Sequence, residues 1–488
     1  MSGEKYKLDL AAVPVWAWFG VGIYGFLFFT GNALLTDPDI FWHMKFGQSI
    51  LDTRILPQVD TYSFTKLGEP WISSSWLAQV LFAGAYDIAG WMGPVFLASA
   101  TIAAAFALMM RSLGRYVSPI YACFVAIVAF KLSSFHFFAR PHALAMPVMV
   151  AWVSGLVYAS DSRKAPSWWL LPLMTLWTNL HGSFVFGLAL VAPFALDGMW
   201  NAEAARRKSL ALHWAGFAVA AVLASLVTPY GWDSLLAARK ILGLGELLSI
   251  IAEWRPANFS HFGGFEACLL GLIALSLYKG IVLSPTRILL VLGLLHMALS
   301  HVRNFEIFLL LTPMVLAQPL AAQLPQLRSS ASETVSPAIR LLLVSVLCGV
   351  TAVLASTRSF TPIGGKSVAG VIAALKDHHA KRVLNDYFMS GSLIAAGIPV
   401  FVDSRAELYG EKFVIAYDDA LRLRNVDGFL KLLQTYNIDA TLLGPSTPAV
   451  YLLDHLSGWR RVYTDDVGVV HVRVADHEPA VTAHPGLK

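Results

Sequence analysis

The sequence predicts an α-helical polytopic membrane protein that carries a small C-terminal α/β domain. Hydrophobic residues make up 56% of its 488 positions and charged residues only 14%, whereas soluble proteins contain about a quarter charged residues. Long apolar runs recur as far as residue 357. Beyond residue 368, short alternating runs such as "IPVFVD" and "VGVVHVRV" are separated by helical patterns such as "DGFLKLLQTYN". This alternation is typical of an α/β domain.

The first part of the chain contains about eleven apolar segments that we interpret as transmembrane helices. Several are shorter than the roughly 20 residues that a straight span requires, notably 118–132 and 168–180. We interpret the first segment as a retained helix because it has no small-residue cleavage site. The segments are 12–35, 92–110, 118–132, 141–160, 168–180, 182–200, 210–230, 264–279, 286–300, 304–323 and 338–356.

The charge distribution predicts the orientation of these helices, because lysine and arginine favour the cytoplasmic side. If the N-terminus with Lys5 and Lys7 is inside, the inner loops hold eleven basic and three acidic residues, whereas the first outer loop, 36–75, holds three basic and five acidic ones. Residues 1–357 then form a membrane domain and residues 358–488 a domain on the outer side. The inner charged residues are Arg111, Arg115, Arg163, Lys164, Arg206, Arg207, Lys208, Lys279, Arg287, Arg328, Arg340, Asp161, Glu203 and Glu333.

Unusual polar residues gather at the predicted outer ends of the helices. They occur in "TDPDIFWH", "FHFFARPH", "TNLHGSF", "AEWRPANFSH" and "SHVRNFE". Several near-membrane polar groups on one face indicate a site at the outer surface. The formal net charge of +5 comes without a basic stripe interleaved with aromatic residues, so we expect no nucleic-acid partner.

An acidic pair, Asp37 and Asp39, directly follows the first predicted helix and flanks a proline. Asp39 and His43 are four residues apart and share a face of any helix that follows, so His43 joins Asp37 and Asp39 as a predicted catalytic residue. One interpretation is that Asp39 only caps this helix. The other is that a carboxylate removes a proton from an acceptor hydroxyl, or that Asp37 and Asp39 bind a divalent cation.

Two arginines lie on the same side, Arg140 in "ARPH" and Arg303 in "SHVRN". Their planar guanidinium groups suit a phosphate, although either side chain could instead extend from a helix end to lipid headgroups. His142 and His301 are close to them in sequence and join the predicted binding residues. The histidines lack HExxH spacing, the three cysteines lack metal-ligand spacing, and the chain has no P-loop or GxSxG motif.

Asn179 and His181 lie between two short apolar segments, in "WTNLHGSF". They either contribute to the site or hydrogen-bond a helix break, with Gly182 permitting the turn. Glu253, in "AEWRP", either pairs locally with Arg255 or lines a cleft, and we favour the cleft.

The stretch from "TDPDIFWHMKFG" to "WLAQVLF" resembles the first outer loop of membrane glycosyltransferases of the GT-C superfamily, in which an acidic pair follows the first membrane helix. Here the pair is Asp-Pro-Asp rather than two adjacent acidic residues. The whole chain also resembles a group of bacterial polytopic membrane proteins. That resemblance rests on "DPDIFWHMKFG", "PQVDTYSFT", "ARPH", "WTNLHGSFVFG", "TPYGW", "AEWRP", "HVRN" and "VFVDSRAELYG".

The resemblance implies an inverting glycosyltransferase of the bacterial inner membrane with a periplasmic C-terminal domain. It would move a sugar from a polyprenyl-phosphate-linked donor to an envelope glycan or lipid acceptor, among membrane lipids. Asp39, with Asp37, would be the general base or a metal ligand, which leaves open whether a divalent cation such as Mg²⁺ or Mn²⁺ is bound. Arg140 and Arg303 would hold the donor phosphate and stabilise it as it leaves.

Other interpretations remain for the C-terminal domain and for the function. In "VFVDSRAELYG", Asp403, Arg405 and Tyr409 either bind a ligand at a strand end or form a buried pair that fixes a turn, and we favour the structural role. A non-catalytic sensor or scaffold, whose external domain binds an envelope polymer, is the main alternative to an enzyme. A transporter is the least favoured interpretation. It would place ionisable groups at mid-membrane or on both faces, whereas here they gather at one face.

Overall fold

The structure is a computed structural model, which describes residues 14–243, 245, 252–329 and 337–474. Lys5, Lys7 and Glu333, which enter the predicted orientation, lie outside these residues. The chain forms two compact units: Met1–Leu35 with Ile72–Phe360, and Thr36–Trp71 with Thr361–Lys488. The predicted outer loop 36–75 was assigned to the membrane domain, whereas residues 36–71 pack in the second unit. The residues that pack with this segment follow about 300 positions later in the chain, so the sequence around the segment does not reveal them.

Helices dominate the chain as far as residue 357, and every predicted apolar segment coincides with one or two of them. The second helix, α2, belongs to the second unit and the others to the first. The helices are α1 Val15–Phe29, α2 Asp39–Thr53, α3 Trp76–Ala89, α4 Met92–Gly114, α5 Pro119–Ser133, α6 Pro141–Asp161, α7 Leu171–Leu180, α8 Phe184–Ala189, α9 Val191–Trp200, α10 Ala204–Ser225, α11 Asp233–Leu242, α12 Gly264–Lys279, α13 Pro285–Ser300, α14 Phe305–Gln323 and α15 Pro337–Thr357.

Within the described residues, six helices are long and apolar enough to cross a membrane, and three shorter apolar helices accompany them. The first unit is therefore built as a multi-pass membrane protein, while the count of about eleven spanning helices stays a prediction. The long helices are Met92–Gly114, Pro119–His136, Pro141–Asp161, Ala204–Ser225, Val302–Gln323 and Pro337–Thr357.

The interior of the first unit is formed around α4 and α6, which pack against each other. Apolar side chains cover nearly every face of α6, and Trp152 is fully buried, as expected for a helix enclosed by other helices. Pro141 occupies its first turn, where proline fits the helical backbone without losing a hydrogen bond. Arg140 directly precedes this turn in an extended conformation. Helix α6 therefore begins next to an arginine that we predicted to bind phosphate.

A buried ion cluster closes the other end of α6. Arg287, at the start of α13, is 5% exposed and donates to Asp161 over 2.8 Å and also to Asp197. Asp197 accepts further hydrogen bonds from Ser284 and Thr286. Arg287 and Asp161 were predicted as inner-loop residues, and the structure instead buries them, because the ends of three helices converge there. Arg140 and this cluster mark opposite ends of α6.

The second unit contains a four-stranded sheet in the order β1-β2-β4-β3, with β1 parallel to β2 and the other pairs antiparallel. The α/β character predicted for the tail is present. The predicted strand "IPVFVD" is missing as a strand and forms only isolated bridges from Val400 to Ser63 and Val383. The elements are α16 Ile363–Asp377, β1 Val383–Asn385, α17 Ser390–Ala395, α18 Ala406–Tyr409, α19 Glu411–Leu421, α20 Val426–Thr435, β2 Ala440–Leu443, α21 Pro448–His455, β3 Trp459–Thr464 and β4 Val469–Arg473.

Candidate functional site

Two arginines meet one glutamate at an end of the first unit. The Arg140 guanidinium lies 3.4 Å from the Glu253 carboxylate, and that of Arg303 lies 3.9 Å from it. The three side chains are 19%, 28% and 29% exposed for Arg140, Arg303 and Glu253, so the group is partly buried yet open to a ligand. Its formal charge is +1. The structure thus brings together three predicted binding residues, and Glu253 pairs across the chain with these arginines.

The backbone around Glu253 explains why these residues meet. Glu253 lies in a short 3₁₀ turn, Ala252–Trp254, and Arg303 in another, Val302–Asn304. The amide of Val302 donates to the Arg255 carbonyl and that of Ala257 to the Leu299 carbonyl, each over 2.9 Å. These two bonds hold the turns side by side, so the position of Arg303 depends on the "AEWRP" segment.

An aromatic ring supports Arg303. The guanidinium lies 4.3 Å from the centre of the Trp254 ring, where the electron-rich face attracts a cation. His301 bonds through Nδ1 to the Trp254 carbonyl over 2.6 Å, so it orients this segment. Trp254 was not among the predicted site residues, although its place between Glu253 and Arg255 in a polar segment was the available signal.

The remaining predicted binding residues of the first unit support the surrounding backbone. His142 bonds through Nε2 to the His136 carbonyl over 3.1 Å, and the His142 and His181 rings are 6.5 Å apart. Asn179 uses its amide fully, accepting from Trp76 and donating to the carbonyls of Thr175 and Val227. This arrangement favours the structural interpretation of Asn179.

His181 lies where α7 ends, as the helix-break alternative describes. Its Nδ1 lies 2.8 Å from the Ser183 hydroxyl and accepts from the Ser183 amide. A Cβ on Gly182 would come within 3.0 Å of the Ser74 hydroxyl oxygen, so this turn has little room for a side chain. His181 therefore stabilises the turn, and its ring also lies near that of His142.

Charge keeps Glu253 ionised. Burial alone would raise the pKa of its carboxyl group, but the positive charges of Arg303 and Arg140 outweigh burial and lower that pKa to about 2, from an ordinary value of 4.5. A carboxylate whose pKa falls on folding stabilises the folded state above its unfolded pKa, and this stabilisation is lost as the pH falls toward the folded pKa.

We therefore expect Glu253→Gln to lower the melting temperature of the detergent-purified protein at pH 7. The difference from the native protein should shrink as the pH falls from about 4.5 toward 2, because protonated glutamate and glutamine are both neutral. Thermal unfolding of both proteins at several pH values measures this. A difference that stays constant with pH would show that the charge of Glu253 does not stabilise the group.

The acidic pair begins α2 in the second unit. The Asp37 carboxylate accepts a hydrogen bond from the Asp39 amide over 2.8 Å, so Asp37 caps the start of the helix. Asp39 is its first residue and His43 lies one turn later, buried beside the Trp42 ring. The structure thus places the capping role, which the sequence analysis considered for Asp39, on Asp37, and Asp39 is half-buried.

A divalent cation would need ligands beyond this pair. Within the residues that the structure describes, no three histidine, cysteine, aspartate or glutamate side chains are grouped so that they could hold a metal ion. Mg²⁺ is often bound by one or two carboxylates together with water and substrate phosphate oxygens. Asp37 and Asp39 fit that pattern in number and chemistry, and the cation stays a prediction.

A buried charged network joins the motifs "PQVDTYSFT" and "VFVDSRAELYG" in the second unit. Arg405, 2% exposed, donates to Asp403 and contacts Asp60, each over 2.6 Å. Asp60 also accepts from the amide and hydroxyl of Ser63, and Asp403 from the Tyr409 hydroxyl. These additional donors let two carboxylates share one buried cation. The geometry agrees with the structural role that the sequence analysis favoured for Asp403, Arg405 and Tyr409.

The fold is similar to that of the archaeal oligosaccharyltransferase AglB from Archaeoglobus fulgidus, solved in complex with an inhibitory peptide and a dolichol-phosphate. That similarity has a TM-score of 0.54 at 12% identity and covers 88% of this chain and 69% of AglB. Two structures of ArnT from Cupriavidus metallidurans, bound to undecaprenyl phosphate and in the apo state, have TM-scores of 0.48 and 0.47 at 14% identity, covering 94% of this chain and 98% of ArnT.

No protein-family model matches the chain, and the search of curated proteins found no significant match. At 12% identity, the similarity to AglB concerns the fold. The resemblance to the GT-C superfamily, predicted from the sequence, is confirmed at that level. The chain therefore shares the fold of AglB over most of its length, as the resemblance of its sequence to GT-C proteins implied.

Proposed function

We propose that this protein is a glycosyltransferase that moves a sugar from a polyprenyl-phosphate-linked donor to an envelope glycan or lipid acceptor. The observation that carries the proposal is the convergence of Arg140 and Arg303 on Glu253 at one end of the membrane unit. The fold shared with AglB makes a lipid-linked donor the most natural substrate class. The proposed location is a bacterial inner membrane, with this end of the unit on the periplasmic side.

The arginine pair has the chemistry that a lipid phosphate requires. Guanidinium groups donate two parallel hydrogen bonds to a phosphate and stay charged at any physiological pH. One carboxylate balances one of the two cations, so a single net positive charge remains for an anion. Helices α6 and α14 begin next to Arg140 and Arg303, and the positive ends of helix dipoles add to the attraction.

The same group would help the reaction as the sugar leaves the donor phosphate. Negative charge develops on the phosphate oxygens during that step, and fixed cations in a partly buried place stabilise it. Trp254 and Glu253 hold the Arg303 guanidinium in position before the donor arrives, so little reorganisation is needed. In this proposal Asp39 removes the proton from the acceptor hydroxyl.

A mass profile of lipid-linked sugars and envelope glycans tests the proposal. We would compare strains that lack the protein, carry it intact, or carry Arg140→Gln with Arg303→Gln at matched membrane levels. We expect a lipid-linked sugar to accumulate and one glycan to shorten both in the null strain and in the double variant. Each removed donor to the developing charge should lower the transfer rate about 100-fold or more.

Arg206→Gln is the matched control, because Arg206 is an exposed arginine of α10 in the same unit and has no proposed role. Its profile should equal that of the intact strain. If the null strain shows no change in any lipid-linked sugar, the proposed function is wrong. If the null strain changes and the double variant does not, the arginine pair does not bind the donor.

A further inference from the structure

We propose that the C-terminal part of the second unit, residues 363–473, acts as the support that positions the acidic helix α2, and that Gly391 is a positioning residue for Asp39. The proposal rests on the proposed catalytic role of Asp39. In this proposal the α/β part of the chain holds a reacting group in place. No motif within residues 363–473 indicated such a role from the sequence.

The first connection lies at the start of the acidic helix. Helix α17 packs against α2, and a Cβ on Gly391 would overlap the carbonyl oxygen of Pro38 and lie 3.7 Å from the Trp42 amide. Gly391 lies inside a helix and does not have a positive φ, so its backbone does not require glycine. The close approach of Pro38, directly before Asp39, is what excludes a side chain there.

A short stretch of paired backbone forms a second connection. The Val400 amide donates to the Tyr62 carbonyl and the Phe64 amide to the Val400 carbonyl, each over 3.1 Å. The Thr65 hydroxyl adds a 2.6 Å bond to the Phe401 carbonyl. The loop after the acidic helix is therefore paired with the segment that precedes the Asp403–Arg405 pair, and Asp60 is drawn into that pair.

A tryptophan adds a third connection to the acidic helix. The Trp71 indole donates to the Glu407 carboxylate over 2.9 Å, and the Arg405 guanidinium lies 4.7 Å from the Trp71 ring centre. The same ring packs edge-on against Trp42 and Phe46 of α2, at 6.2 and 5.4 Å between ring centres. Contacts from α17, from the paired loop and from Trp71 thus all connect α2 and the loop after it to the C-terminal part of the unit.

Such a support matters because proton transfer depends on distance and angle. A misplacement of about 1 Å at a reacting group can lower a rate by roughly 100-fold. The overlap between a Gly391 side chain and Pro38 must be relieved by movement, and backbone at the start of α2 is the neighbour in contact. Alanine is also a better helix former than glycine, so Gly391→Ala should not weaken α17 itself.

The experiment compares Gly391→Ala with Gly444→Ala in the full-length protein. A Cβ on Gly444 would make only ordinary contacts, at 3.5 Å to Thr447 and 3.7 Å to Asp386. Transfer is measured in membrane vesicles over a range of concentrations of the lipid-linked sugars extracted from the null strain. We expect Gly391→Ala to lower kcat by about 10- to 100-fold with the donor KM unchanged, and Gly444→Ala to match the native protein.

Hydrogen exchange supplies a readout that is independent of activity. Residues 36–46 should exchange faster in Gly391→Ala, while β2 and β4 stay protected. If β2 and β4 also lose protection, Trp71→Phe replaces it as the test, because it removes the bond to Glu407 and keeps a ring. We expect Trp71→Phe to lower kcat several-fold, again without a change in the donor KM.

The outcomes separate this proposal from the proposed function. If the native protein transfers sugar and both Gly391→Ala and Trp71→Phe match Gly444→Ala in kcat, the positioning role is wrong. If the native protein transfers nothing, the proposed function is wrong. In that case, a hydrogen-exchange rate of residues 36–46 that is the same in Gly391→Ala and in the native protein would overturn the structural support as well. A rise in the donor KM instead of a fall in kcat would also contradict the positioning role.

Discussion

Asp39→Asn should lower the transfer rate by about 100- to 10,000-fold, the contribution of a general base, while the protein still folds and inserts. Asparagine has nearly the same shape as aspartate, but it cannot remove the proton from the hydroxyl group of the acceptor. Asp37 caps α2 by accepting from the Asp39 amide, and that bond does not involve the side chain of Asp39. The loss is therefore expected in catalysis, with this hydrogen bond at the start of α2 kept.

The measurement is the initial rate of transfer in vesicles with equal amounts of native or variant protein, again with lipid-linked sugars from the null strain. Asp52→Asn is the control on the same helix. Asp52 is exposed, and its carboxylate accepts a hydrogen bond from the side-chain amide of Gln48. It should keep the native rate. A fully active Asp39→Asn variant would remove Asp39 from the mechanism and return it to a role at the helix start.

Arg405→Met should destabilise the second unit by about 3–5 kcal/mol, the usual cost of removing one partner from a buried ion pair. Without the guanidinium, the Asp60 and Asp403 carboxylates face each other in a region that is almost closed to solvent, at 1% and 0% exposure. Arg405→Lys should restore little, because an ammonium group cannot make the parallel bonds that Arg405 donates to Asp403.

Hydrogen exchange of the full-length protein measures this effect in β1, β2 and β4, where the slowest amides report the stability of the unit. Arg422→Met is the matched control. Arg422 pairs with Asp418 one helical turn away and is 52% exposed, and exposed pairs contribute about 1 kcal/mol or less. Equal protection in Arg405→Met and Arg422→Met would show that the buried network is not what holds the unit together.

Much of the membrane unit follows from local sequence. Apolar runs long enough to be helical are visible one segment at a time, and each of them coincides with helical structure. The polar motifs at one end of those helices contain both arginines that meet Glu253, because charge near a membrane needs a partner or a role. Their role in binding a donor stays a prediction. The α/β character of the tail was equally local, since it rests on short alternating runs.

Other features depend on contacts between distant parts of the chain. No local pattern shows that Glu253 lies between Arg140 and Arg303, since backbone pairing of two turns brings them together. Nor does a local pattern show that Arg287 is buried with Asp197, because a basic residue two positions after a proline has the composition expected of a loop. The "IPVFVD" run has the composition of a strand, yet Val400 pairs with Ser63 instead of extending the sheet.

The sequence by itself determined the class of protein, the positions of its apolar helices and the residue types available for chemistry, because these follow from hydrophobicity and periodicity along the chain. Only the tertiary structure decided that the acidic helix belongs with the C-terminal domain and that Asp60 shares Arg405 with Asp403. The physical reason is that burying a charge far from water requires a partner, and the fold supplies that partner from a segment more than 300 residues away.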